Sequence, residues 1–169
     1  MLPPAYAELH CLSSFSFLRG ASQPEELAER AEALGYAALA LTDECSVAGV
    51  VRAHAALKGR RTRLIVGTEL HLDCGLPLVV LAADRRGYGQ MCRLITRARR
   101  AAPKGSYVLQ RADVEALLEP EHCLLLWAPR PAQCRDSARV RADAEWLHRH
   151  FAGSAWIAVE LLRDGTERA

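Results

Sequence analysis

Tyr36-Ala37-Ala38-Leu39-Ala40-Leu41 runs directly into Thr42-Asp43-Glu44-Cys45-Ser46. From Ala37 to Leu41 every side chain is apolar, the pattern of a short strand covered on both faces. The residues that follow are carboxylates, hydroxyls and a thiol, and they fall where that strand ends. Barrel and open α/β folds assemble their active sites at that end of their strands. Upstream, Ala5 to His10 reads as another short strand, which empties into Cys11-Leu12-Ser13-Ser14-Phe15-Ser16-Phe17-Leu18-Arg19-Gly20-Ala21. Downstream, Leu64 to Leu72 reads as a third and carries Val66-Gly67-Thr68-Glu69.

Helical patterns separate these strands. Ser22 and Glu25 have capping-box spacing with Pro24 in the first turn, and Leu27, Ala31 and Leu34 repeat at helical intervals before Gly35. Ser46 is placed to cap a second helix that runs to Leu57, with Gly59 as its stop. Asp73-Cys74-Gly75 is a turn signal, so the third strand and a fourth over Pro77 to Ala82 are expected to form a hairpin. Gly87 to Arg100 is helical with an apolar stripe of Met91, Leu94, Ile95 and Ala98, and Asp113 to Leu118 is a short helix. Cys123 to Trp127 is an apolar strand closed by Pro129 and Pro131. Asp136 to Phe151 is a long helix with Val140, Trp146, Leu147 and Phe151 inward, and Trp156 to Leu162 is a last strand, with Trp156 in the core. The alternation predicts an α/β fold with a parallel sheet covered by helices. The strands are too few to close a barrel, which points to the front part of a longer protein.

Half of the 169 residues are hydrophobic and a quarter are charged, as in a soluble domain large enough for a real core. No apolar run approaches the ~18 residues that span a bilayer. Met1-Leu2-Pro3-Pro4 lacks the regions of a secretory signal, so a cytoplasmic protein without membrane contact is expected. Cys11, Cys45, Cys74, Cys92, Cys123 and Cys134 show no C-x-x-C spacing and read as free thiols. The net charge of +2 is unevenly spread. No acid lies between Asp84 and Asp113, whereas Arg85, Arg86, Arg93, Arg97, Arg99, Arg100, Lys104 and Arg111 do. Arg93, Arg97 and Arg100 are the candidates for contact with nucleic acid or an acidic partner; a solvated helix face is the plainer alternative.

Four strand-end residues carry the candidate chemistry: His10, Asp43, Glu44 and Glu69. Imidazole and carboxylate are ligand types for Zn, Mn or Fe in a hydrolytic site. Polar groups satisfied at loop starts are the competing reading. His54, His122, His148 and His150 are read structurally, the last two at a helix C-terminus where they suit the dipole.

Leu9 to Gly20 resembles the first motif of the PHP (polymerase and histidinol phosphatase) superfamily. Leu41-Thr42-Asp43-Glu44-Cys45-Ser46-Val47-Ala48-Gly49 resembles the second, and Gly67-Thr68-Glu69 the third. The match is closest to the PHP domain at the N-terminus of bacterial C-family DNA polymerases of the DNA polymerase III α-subunit type. His-Cys-Leu-Ser, Phe-Ser-Phe-Leu-Arg-Gly-Ala-Ser and Thr-Asp-Glu-Cys-Ser look like its error-prone branch. Leu81-Ala82-Ala83-Asp84-Arg85-Arg86-Gly87-Tyr88 is similar to the same group.

The resemblance implies a distorted (β/α)7 barrel, here an incomplete one, with a metal site at the C-terminal strand ends. Residues 1–169 would be the N-terminal portion, with the remaining strands and the polymerase domains beyond. His10, Asp43 and Glu69 match the motif histidine, aspartate and glutamate. Leu12 and Glu44 stand where the family has histidines, and no cysteine lies at Ala128 to Arg130, where a ligand cysteine is expected. Glu44 suits a hard cation and Leu12 binds none, so the site is expected to be degenerate for Mn, Zn or Mg. Cys45 and His71 are possible substitutes.

By the same resemblance the parent protein would be a Mg-dependent polymerase that extends DNA past lesions. This segment would brace its palm and thumb, with a sliding clamp and translesion accessory proteins as possible partners. An active metal-dependent phosphoesterase, either a 3′-exonuclease or a phosphatase, is the main alternative. A binding module docking through the Arg85–Arg111 stripe is another.

Overall fold

The structure is a computed structural model that describes residues 5–160. Strand β1 (Ala7–Cys11), helix α1 (Pro24–Ala33), strand β2 (Ala38–Leu41), helix α2 (Val50–Leu57) and strand β3 (Arg63–His71) form two successive β/α/β units. Strand β4 (Pro77–Ala82), helices α3 (Arg85–Arg100) and α4 (Arg111–Leu117), strand β5 (Cys123–Trp127), helices α5 (Pro131–Cys134) and α6 (Ser137–Phe151), and strand β6 (Ala155–Ile157) follow. The six strands lie in sequence order in one sheet, which curls as a half-barrel.

The sheet is mixed, which corrects the expectation of a parallel one. β1, β2 and β3 are parallel, β3–β4 is the expected antiparallel hairpin, β4–β5 is also antiparallel, and β5–β6 is parallel. The segment through α3 and α4 delivers the chain to β5 running opposite to β4. Apolarity on both faces marks a strand as buried, not which way it runs.

Alternate side chains feed two layers. Leu78 and Val80 of β4, with Cys123, Leu125 and Trp127 of β5, face a core closed by Met91, Leu94 and Ala98 of α3 and by Trp146, Leu147 and Phe151 of α6. Val79 and Leu81 face the concave side with Ala40, Ile65, Leu124 and Leu126. α1 and α2 cover β2 through Ala28, Ala31, Ala53 and Leu57. Met91 and Leu94 are fully buried, each worth about 1.5–3 kcal/mol in transfer free energy.

Several local expectations shift. Gln23, not Ser22, caps α1, and Glu26 rather than Glu25 completes the box. Pro24 takes the first helical position, while the Ser22 carbonyl accepts from the Ser14 amide at 2.8 Å and belongs to the preceding loop. That one-residue shift puts Ala28 and Ala31 inside and leaves Leu34 exposed. Ser46 does not cap α2: its hydroxyl accepts from the Ala48 amide and Gly49 is the N-cap. β6 ends at Ile157, and Trp156 and Ile157 are exposed rather than core. Among the described residues β6 pairs only with β5, and its other edge borders a groove of about 780 Å³ floored by Ile65, Leu81, Leu124 and Leu126. The rest of the last predicted strand, Leu161 and Leu162, lies outside the described residues.

Candidate functional site

The strand ends of β1, β2 and β3 meet where a parallel bridge places Glu44 beside Glu69. Glu69 is the hub. Its carboxylate, almost fully buried, takes His10 Nε2 at 2.9 Å, His71 Nε2 at 2.5 Å and Arg19 Nη2 at 3.0 Å, and Arg19 Nη1 lies 2.9 Å from its other oxygen. Burial pushes its pKa up, but the bonds from His10, His71 and Arg19 prevail and hold it far below the usual carboxylate range.

Glu44 extends the network. Its Oε2 accepts from Arg19 Nη1 at 2.9 Å and its Oε1 from the Tyr107 hydroxyl at 2.9 Å. The same Tyr107 oxygen accepts from the His71 amide at 3.0 Å, which joins the segment after α3 to β3. Burial and the neighbouring Glu44 carboxylate keep that phenol protonated.

His10 sits between two carboxylates. Nε2 faces Glu69, and Nδ1 contacts Glu160, just past β6. Burial disfavours the imidazolium, yet Glu160 and Glu69 outweigh it and lift the pKa to about 9. Both ring nitrogens are thus engaged by carboxylates. The bond to His10 in turn lowers the Glu160 pKa.

Asp43 lies apart from this cluster. Fully buried, it accepts from the Ser13 amide at 2.8 Å, the Ser13 hydroxyl at 2.7 Å and the Ser16 hydroxyl at 2.7 Å. The Ser16 hydroxyl also accepts from the Glu44 amide at 2.9 Å. Asp43 thus clips the β1–α1 loop onto the end of β2. Cys45 points into the hydrophobic core and joins no ligand group, whereas His71 does reach Glu69.

A divalent metal fits this arrangement poorly. Both His10 ring nitrogens contact carboxylates, Asp43 accepts three bonds from the β1–α1 loop, and the Glu44 and Glu69 oxygens are engaged by donors. Among the described residues no group of three or more His, Cys, Asp or Glu side chains is placed to hold a metal ion.

Arg19, Glu160, Tyr107, Ser13 and Ser16 were not singled out from sequence. Glu160 carried a usable signal, a carboxylate directly after an apolar strand run. Arg19 carried none, because a loop conformation aims it. In that loop Ser16 accepts the Arg19 and Gly20 amides at 2.9 and 3.0 Å, and a Cβ on Gly20 would lie 1.9 Å from the Ser13 carbonyl oxygen. Gly20→Ala must therefore open the loop. We expect a loss of about 1–3 kcal/mol, read by urea denaturation; a change under about 0.5 kcal/mol would show that the loop has room.

Arg93, Arg97 and Arg100 are exposed on α3 and border a groove of about 860 Å³ against α4. Arg97 is paired with Asp113 at 3.1 Å. No helix among the described residues is long and apolar enough to cross a membrane.

The chain is 57% identical over 161 residues to an error-prone DNA polymerase of Dechloromonas aromatica, covering 94% of this chain and 15% of that protein. It is 54% identical to the error-prone DNA polymerase of Aromatoleum aromaticum, over 92% of this chain and 15% of the relative. The corresponding protein of Pseudomonas paraeruginosa is 50% identical over 98% of this chain. The chain thus spans about 15% of the length of these curated relatives. Among solved structures, a proposed metal-dependent phosphoesterase from Bifidobacterium adolescentis superposes with TM-score 0.59 at 15% identity, over 85% of this chain and 75% of the other. An amidohydrolase from Chromobacterium violaceum, with bound sulfate and no metal, gives TM-score 0.61 at 19% identity, over 90% and 76%. Both share the fold. The PHP domain family model matches residues 8–166, and the chain belongs to that family.

Proposed function

We propose that this chain is the N-terminal PHP segment of an error-prone DNA polymerase that acts in translesion synthesis and DNA repair in the cytoplasm, and that the segment itself is structural. The observation that carries this reading is the identity of 50–57% along nearly the whole chain to proteins described as error-prone DNA polymerases. In this reading DNA and the Mg used for nucleotidyl transfer are bound by parent domains beyond residue 169. The open groove beside β6 accommodates the remaining PHP strands. The palm and thumb in cis are the first partners, with a sliding clamp and translesion accessory proteins beyond them. Arg93, Arg97 and Arg100 offer a basic face to DNA or to such a partner, and binding there would weaken steeply with salt.

The pocket itself favours bracing over hydrolysis. A PHP-type phosphoesterase reaction needs a metal to polarise phosphate and lower the pKa of water. His10, Asp43, Glu44 and Glu69 are instead occupied by other side chains, leaving only a degenerate site for Mn, Zn or Mg.

Two measurements test this. The reading frame downstream of Ala169 is expected to continue into a polymerase; a stop codon there sinks the parent assignment. The chain purified without chelator is expected to carry far less than one equivalent of Mn or Zn. Stoichiometric metal that disappears in Glu69→Ala would revive the phosphoesterase alternative.

A further inference from the structure

Glu44 and Glu69 stand side by side on adjoining strand ends. Two carboxylates that close repel strongly unless a cation lies between them. Here the cation is Arg19. Its Nη1 is 2.9 Å from both Glu44 Oε2 and Glu69 Oε1, and its Nη2 is 3.0 Å from Glu69 Oε2. His10 and His71 complete the shell around Glu69 from the other side.

The loop is built around this placement. Leu18 adopts a left-handed backbone with φ 61°, unfavourable for a branched side chain. Phe17 and Leu18 are 84% and 90% exposed, so hydrophobic burial does not drive this conformation. What the conformation achieves is to turn the next residue, Arg19, into the pocket. The serine bonds to Asp43 and the close approach at Gly20 fix it there.

We propose that Arg19 is the resident cation of this pocket, a covalently tethered replacement for a divalent ion, and that its guanidinium is what closes the His10–Glu44–Glu69–His71 shell to metal. The proposal rests on the structural reading above and deepens it. A guanidinium cross-links two carboxylates as a divalent ion does, through a planar fork that matches both. It differs in chemistry. All its hydrogens are donors, it has no open coordination position, and it stays protonated, so it cannot bind and ionise a water. The exchange keeps the cross-link between β1, β2 and β3, removes the hydrolytic step, and frees folding from metal supply.

The test compares the full chain with its Arg19→Ala and Arg19→Lys variants, with EDTA or MnCl2, by thermal unfolding and by Mn2+ electron paramagnetic resonance. The wild-type midpoint should not respond to either reagent. Arg19→Ala should melt roughly 5–10 °C lower, regain most of that in Mn2+, and bind one Mn2+; adding Glu69→Gln should abolish that binding. Arg19→Lys, which keeps the charge, should bind none. If Arg19→Ala is unfolded alone, refolding in Mn2+ supports the proposal and failure to refold overturns it. An Arg19→Ala variant that is as stable as wild type, or blind to Mn2+, also overturns it, as does Mn2+ binding by Arg19→Lys. Those results leave the structural reading of the pocket standing, whereas tight Mn2+ binding by the wild type removes that reading as well.

Discussion

Glu69→Ala is expected to lower folding stability by about 3–5 kcal/mol, the cost of removing one partner from a buried ion-pair network. The size follows from what is left behind rather than from what the network adds. Buried ion pairs give back much of their Coulomb energy as desolvation, so the intact cluster need not be strongly stabilising. Deleting the shared carboxylate is different. Arg19, His10 and His71 all direct donors at it, and alanine leaves three partly buried donors without their common acceptor. Glu69→Gln should fall between, since one amide oxygen still accepts while its NH2 group meets donors. The measurement is urea denaturation at neutral pH, with a lower midpoint and unchanged slope. A loss below about 1 kcal/mol would mean that water replaces the carboxylate easily and that the cluster behaves as a surface one.

The positions of His10, Glu44 and Glu69 were legible because each lies at or near the end of a short strand-length run, and that pattern survives without any knowledge of pairing. Their partners were not. Arg19 enters through a positive-φ residue and serine-bonded turns, which leave no periodic trace. Glu160 reaches His10 only because a curled sheet brings the first and last described strands together. Strand-end position groups Asp43 with Glu69, but the serines of the first motif reach Asp43 in the fold and bond both its oxygens. In the fold, the hairpin at Asp73-Cys74-Gly75 was readable from turn chemistry. The antiparallel β4–β5 pair was not, because its strands are apolar on both faces whichever way they run. The Ser22-to-Gln23 shift shows the same limit on a smaller scale: two overlapping caps satisfied the spacing, and only the loop bond to the Ser22 carbonyl decides between them.

His10 also makes stability depend on pH in a direction that can be worked out. Its pKa rises from an ordinary 6.5 to about 9 in the fold. A group whose folded pKa is raised contributes fully below its unfolded value and loses that contribution as pH climbs through the folded one. Stability should therefore fall between pH 6.5 and about 9, by roughly 2–3 kcal/mol once the full 1.4 kcal/mol per tenfold change in protonation is discounted for the ring's partial exposure to solvent. The groups facing the ring are Glu69 from β3 and Glu160 after β6, Arg19 from the loop acts on both of those carboxylates, and Glu8 accepts the His10 amide. Glu69 and Glu160 have lowered pKa values, so their contributions vanish on the acid side and do not overlap this window. The half-buried Cys11 thiol and the buried Cys45 and Cys123 thiols do overlap its upper end, since desolvation raises each to about 11. His10→Gln separates the two effects, because it keeps the thiols and removes the titrating ring. The stability difference between wild type and His10→Gln should shrink by most of that 2–3 kcal/mol from pH 6 to pH 10. A difference that stays constant across the range would show that the fold does not raise the His10 pKa.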